Sequence, residues 1–131
     1  MNPPLADNPG LVLLIWAATP DRPELLATPL IHALAARALD CEVEIHFAGP
    51  AVRWLVEGVA AAQFAGPNRE KSLLEFLQDA VSAGASLHLC SMAQAAWIAP
   101  QETLLPLCSG PRGATAFVAR TLQAEWKTLV Y

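Results

Sequence analysis

The chain has 131 residues, 54% hydrophobic and 15% charged, with a formal net charge of -4. That length suits one domain with a sizeable core, and an acidic chain with scattered basic residues excludes a nucleic-acid backbone as the expected partner. No apolar run approaches the ~20 residues that span a bilayer, and the start lacks the basic and long apolar regions of a signal peptide, so a cytoplasmic protein without a membrane partner is expected.

Residues 1–10 hold three prolines and two asparagines and are expected to be a flexible arm. Residues 11–131 then form a single α/β domain. The run Leu11-Val12-Leu13-Leu14-Ile15-Trp16 is apolar without alternation, which fits a central strand buried on both faces. Asp21-Arg22-Pro23-Glu24 reads as a helix start with Asp21 as its cap. Thr28-Pro29 gives a second start, and Pro29 is expected to break or kink the helix. The helix proper is expected over 29–39, with Leu30, Leu34 and Ala38 on one face.

Residues 41–47 alternate, with Val43, Ile45 and Phe47 on one side and Glu42, Glu44 and His46 on the other. That predicts a strand with one wetter face, nearer an edge of the sheet. A short helix is expected over 51–57, followed by a weak stretch at 59–68. Residues 69–83 predict an amphipathic helix with Leu73, Leu74, Leu77 and Val81 inward, ended by Gly84. A short apolar strand over 85–89 delivers Cys90 to the point where the next helix, 91–98, begins. Residues 100–112 hold three prolines and read as a loop. A last helix is expected over 113–124, with Phe117, Val118 and Leu122 inward, and a closing strand over 126–131.

Alternating strands and helices predict a parallel sheet covered on both faces. Ligands in such sheets bind beyond the C-terminal strand ends, which places Trp16-Ala17, Ala48-Gly49 and Cys90-Ser91 on one rim. A thiol at Cys90 would meet unpaired N–H groups at a helix start, which favours the thiolate. The competing reading is an inert core cysteine. His88 lies two residues back on the same strand face, either bonded to the thiol or satisfied in the core. Trp16 and Trp97 either wall a rim pocket or simply pack. Arg112, just before a helix, either binds an anion or is solvated. Cys41 falls at the opposite sheet end and reads as structural, whereas Cys108 is either a resolving thiol or without a task.

Three cysteines without a CxxC pair fit neither a disulfide framework nor a zinc site. No His/Asp/Glu cluster has metal spacing. GxGxxG, GxxxxGK[ST] and GxSxG are absent, so no metal and no cofactor is expected.

Four stretches carry a family resemblance. They are the opening strand with residues 29–39 and Glu42-Val43-Glu44-Ile45-His46-Phe47, the helix Ser72-Leu73-Leu74-Glu75-Phe76-Leu77, the run Ala83-Gly84-Ala85-Ser86-Leu87-His88-Leu89-Cys90-Ser91-Met92, and Gly113-Ala114-Thr115-Ala116-Phe117 with the final strand. On these the chain resembles the DsrE/DsrF-like (YchN-like, sulfur-relay related) family. The resemblance implies a three-layer α/β/α domain around a parallel five-stranded sheet. It also implies a homo-oligomer, trimer or hexamer. In relay members the cysteine matching Cys90 accepts a persulfide sulfur from a donor protein and passes it to an acceptor.

Three readings follow. Cys90 is a persulfide sulfur carrier, or the chain is a non-catalytic oligomeric module that binds a small ligand or partners and keeps Cys90 inert. In the third, Cys90 is a redox thiol resolved by Cys108.

Overall fold

Strands and helices alternate as expected in the computed structural model, which describes residues 7–131; residues 1–6 of the expected arm lie outside them. Strands β1 (Gly10–Ile15), β2 (Glu42–Phe47), β3 (Ser86–Cys90), β4 (Cys108–Arg112) and β5 (Trp126–Val130) make one sheet. Its order is β4-β3-β2-β1-β5, and every neighbouring pair is parallel. The helices are α1 (Glu24–Ala38), α2 (Leu73–Ser82), α3 (Ser91–Trp97) and α4 (Ala114–Thr121), with 3-10 turns at Gly49–Leu55 and Ala60–Ala62. None of these helices is long and apolar enough to cross a membrane.

Strand alternation divides the sheet into two unlike faces. One face presents Leu13, Ile15, Val43, Ile45, Phe47, Leu87 and Leu89, all buried in the main core. Leu26 and Leu30 of α1, Leu73 and Leu77 of α2, and Trp54 fill the space against it. Trp54 is fully buried, and its Nε1 donates to the Ala18 carbonyl at 2.6 Å. The other face presents Val12, Leu14, Glu44, His46, His88 and Cys90, and α4 packs over it. Gly10 opens this face: a Cβ there would stand 2.2 Å from the Trp126 ring.

Several boundaries differ from the sequence reading, each for a local reason. β1 starts at Gly10, so the arm ends one residue earlier. α1 runs unbroken through Pro29, because Leu26, Leu30 and Ala33 are buried on either side of it and hold the helix to the sheet despite one lost hydrogen bond. Asp21 does not cap this helix; the N-cap position falls on Pro23, without a side-chain cap. α2 begins at Leu73, where Ser72 and Glu75 form a reciprocal capping box.

β2 is the middle strand, not one near an edge, and Glu44 and His46 are both buried. β4 occupies the end of the expected loop. It is an edge strand, where Pro111 is tolerated because one row of N–H groups faces away from the ladder. In α4, Phe117 is half-buried while Val118 is exposed, as is Leu122 at the helix C-cap. The helix covers a polar ladder, so Phe117 and Arg120 point inward in place of an aliphatic stripe.

Candidate functional site

Glu44 and His46 of β2 lie in register with Ser86 and His88 of β3. On one face of the sheet this creates a polar ladder under α4. Arg120 reaches down from α4, and its Nε and Nη2 donate to Glu44 Oε2 at 2.9 and 2.6 Å. His46 Nε2 donates to the other oxygen, Glu44 Oε1, at 3.0 Å. Burial raises the Glu44 carboxyl, but the hydrogen bonds from Arg120 and His46 outweigh it and hold the group below its ordinary value. Burial depresses His46 more than Glu44 lifts it, so the imidazole is neutral at pH 7.

His88 is 3% exposed, and its ring centre lies 5.1 Å from that of His46. Its Nε2 sits 2.8 Å from Ser86 Oγ, while the buried Nδ1 has no hydrogen-bond partner. A bare lone pair is less costly there than an unpaired N–H, which assigns the proton to Nε2, donated to Ser86. Burial first, and then the nearby Arg112 charge, push His88 down to about 4.

At the C-terminal end of the ladder lies a pocket of about 210 Å³. Cys90, His46 and Leu14 form its floor from the strand ends, with Phe47 and Ala48 beside them. Phe117, Arg112 and the Gly113 turn form its α4 side. Cys90 is the last residue of β3 and the N-cap residue of α3, and it is half-buried. Its register partner on β4 is Arg112. A thiol, a guanidinium and a neutral imidazole therefore share one largely apolar cavity.

The expected rim is distributed differently. Cys90 and Ala48 line the pocket, but Trp16, Ala17, Gly49, His88, Ser91 and Trp97 do not. Trp16, in the bend after β1, and Trp97, the last residue of α3, are 54% and 48% exposed. Trp97 is tied there by Arg53, which bonds its carbonyl and pairs with Glu102. Ser91 lines a separate groove with Gln94 and Ile98. His88 lies under α4 beside His46, bonded to Ser86, so it does not hold the Cys90 thiol.

Cys108 is opposite Leu87, whereas Cys90 is opposite Arg112. The two cysteines are three β3 residues apart along the strand, about 10 Å, which exceeds the ~7 Å that a disulfide spans. That geometry contradicts Cys108 as a resolving partner. Cys108 points instead toward the Leu87 carbonyl at 3.8 Å, and burial raises its thiol. Among the described residues no group of three or more His, Cys, Asp or Glu side chains is placed to hold a metal ion.

Glu44, His46 and Phe117 belong to the site without having been singled out from the sequence. The signal was present in matching alternations, Glu44/His46 on one strand and Ser86/His88/Cys90 on another, which a parallel register places side by side.

The DsrE/DsrF-like family model matches residues 11–129. The fold is shared with YchN from E. coli, at TM-score 0.71 and 16% identity over 94% of this chain and 99% of that one. MTH1491 from Methanobacterium thermoautotrophicum, a protein of unknown function, matches at TM-score 0.63 and 15% identity, over 94% and 99% of the two chains. BT1422 from Bacteroides thetaiotaomicron, also of unknown function, matches at 0.55 and 13%, over 99% and 100%. No curated sequence matches the chain.

Proposed function

The chain belongs to the DsrE/DsrF-like family, a family linked to sulfur relay, and on that premise we propose that it carries sulfur on Cys90. The observation that supports this reading is the position of Cys90: half-buried at a parallel strand end, in the wall of a pocket, with Arg112 as its register neighbour. Catalytic sites of open parallel sheets gather at this end.

The step is a thiol exchange. The Cys90 thiolate attacks the outer sulfur of a donor persulfide. A bond forms between Sγ and that sulfur, the donor's S–S bond breaks, and its electron pair leaves with the donor thiolate. No net oxidation occurs. An acceptor thiolate then attacks the sulfur held as Cys90–S–SH and restores the Cys90 thiolate. Arg112 stabilises the negative sulfur in both steps.

The donor and acceptor are proposed to be proteins, and the working compartment the reducing cytoplasm, where free thiols such as Cys41, Cys90 and Cys108 persist. Copies of the chain are proposed to assemble as a trimer or hexamer. Val118 on α4, Leu122 at its C-cap and Val130 on β5 leave apolar surface exposed on the less covered face of the sheet.

A two-stage transfer assay tests the carrier. The chain is loaded with polysulfide, desalted, and then mixed with a small thiol. Intact mass should show whole sulfur atoms gained and then lost to the thiol, with neither stage in Cys90→Ser. Unchanged loading of Cys90→Ser would leave the inert binding module as the better reading.

A further inference from the structure

The pocket beside Cys90 has one positive charge to spare. Glu44 is cancelled by Arg120, which donates twice to its Oε2, while Oε1 accepts from His46. Both imidazoles are neutral at pH 7, since burial depresses each of them. While Cys90 is a neutral thiol and not the thiolate of the transfer step, Arg112 is left over. Its nearest carboxylate oxygen is Glu44 Oε1 at 3.9 Å, beyond hydrogen-bond length. Among the described residues no side-chain acceptor is bonded to it, and its side chain is 44% exposed.

The rest of the cavity suits a different kind of atom. Leu14, Phe47 and Phe117 contribute hydrocarbon walls. A dry cavity of about 150 Å³ accommodates benzene. The pocket here is about 210 Å³ and is open on one side, so a ring with a small substituent fits. A guanidinium presents paired donors that match a carboxylate. A dianion would leave one charge uncompensated between apolar walls, which costs free energy.

We propose that this pocket is a binding site for a small organic monoanion: a compact apolar body such as an aryl ring, held against Leu14, Phe47 and Phe117, with a carboxylate head on Arg112. The site does not depend on sulfur transfer, because Cys90 enters it only as a wall.

Benzoate is the probe, with benzyl alcohol and acetate as its neutral and ring-less counterparts. Binding is followed by NMR titration of the Cys90→Ser chain, which removes thiol chemistry and so separates this proposal from the carrier reading. Benzoate should bind saturably, in roughly the millimolar range for so small a ligand. Benzyl alcohol and acetate should each bind more weakly by about tenfold or more, since a charge-assisted hydrogen bond and ring burial are each worth at least that much. Arg112→Gln should reduce benzoate to the level of benzyl alcohol and leave benzyl alcohol unchanged. Its partly exposed side chain makes unfolding a poor explanation for that loss, and an unchanged thermal midpoint checks the point. Phe117→Trp should weaken benzoate and benzyl alcohol together by filling the cavity. Absence of saturable benzoate binding, benzoate no tighter than benzyl alcohol, or Arg112→Gln without effect would each overturn the proposal.

Discussion

Acidification from pH 7.5 to 5 should destabilise the fold largely through His88. The imidazole sits at about 4 in the folded chain against an ordinary 6.5. The unfolded chain therefore binds the proton first. Stability is full above the unfolded value and falls as pH drops through the window from 6.5 to 4. The whole window is worth about 3 kcal/mol at ~1.4 kcal/mol per unit, and roughly 2 kcal/mol of it is lost by pH 5. His46 is depressed as well and adds in the same direction. Glu44, held below its ordinary 4.5, stabilises above that value and loses its contribution only below it, so pH 5 isolates the histidines. The assay is urea unfolding followed by tryptophan fluorescence at both pH values, at fixed protein concentration, on the native chain and His88→Gln. The variant keeps a polar group near Ser86 but cannot titrate. Its stability should fall less between the two pH values by about 2 kcal/mol. An equal loss in both proteins would refute the buried neutral imidazole.

Three further outcomes rest on separate contacts. Gly10→Ala places a methyl 2.2 Å from the Trp126 ring and should lower stability by about 1–3 kcal/mol in thermal unfolding; an unchanged midpoint would mean the ring is free to move. Trp54→Phe removes the donor to the Ala18 carbonyl, which is buried with it, and should cost roughly 1–3 kcal/mol in urea unfolding. Mild peroxide should produce no Cys90–Cys108 disulfide in mapped peptides, because their register separates them by about 10 Å; finding that bond in the folded monomer would contradict the placement of β4.

The sheet was legible where the pattern is strongest. The unbroken apolar run at 11–16 and the strand before Cys90 are buried parallel strands, and both were read as such. β4 was hidden by Gly110 and Pro111, residues that an edge strand tolerates and a sequence pattern reads as a loop. Glu44 and His46 misled in another way. Alternation with polar residues ordinarily means a solvated face, yet here the polar side is buried and satisfied across the sheet by Arg120 on α4. Such pairing links residues 76 positions apart, and no local window contains it. For the same reason Cys90 was found as a strand-end thiol, while its cavity neighbours Leu14, Arg112 and Phe117, drawn from three other elements, were not joined to it.

The most direct test of the sulfur-carrier account compares three single variants, Cys41→Ser, Cys90→Ser and Cys108→Ser, loaded with polysulfide under one set of conditions and read by intact mass. The account predicts reductant-sensitive gain of whole sulfur atoms in the native chain, Cys41→Ser and Cys108→Ser, and none in Cys90→Ser. Loading that persists in Cys90→Ser, or that follows one of the other two cysteines, would contradict it.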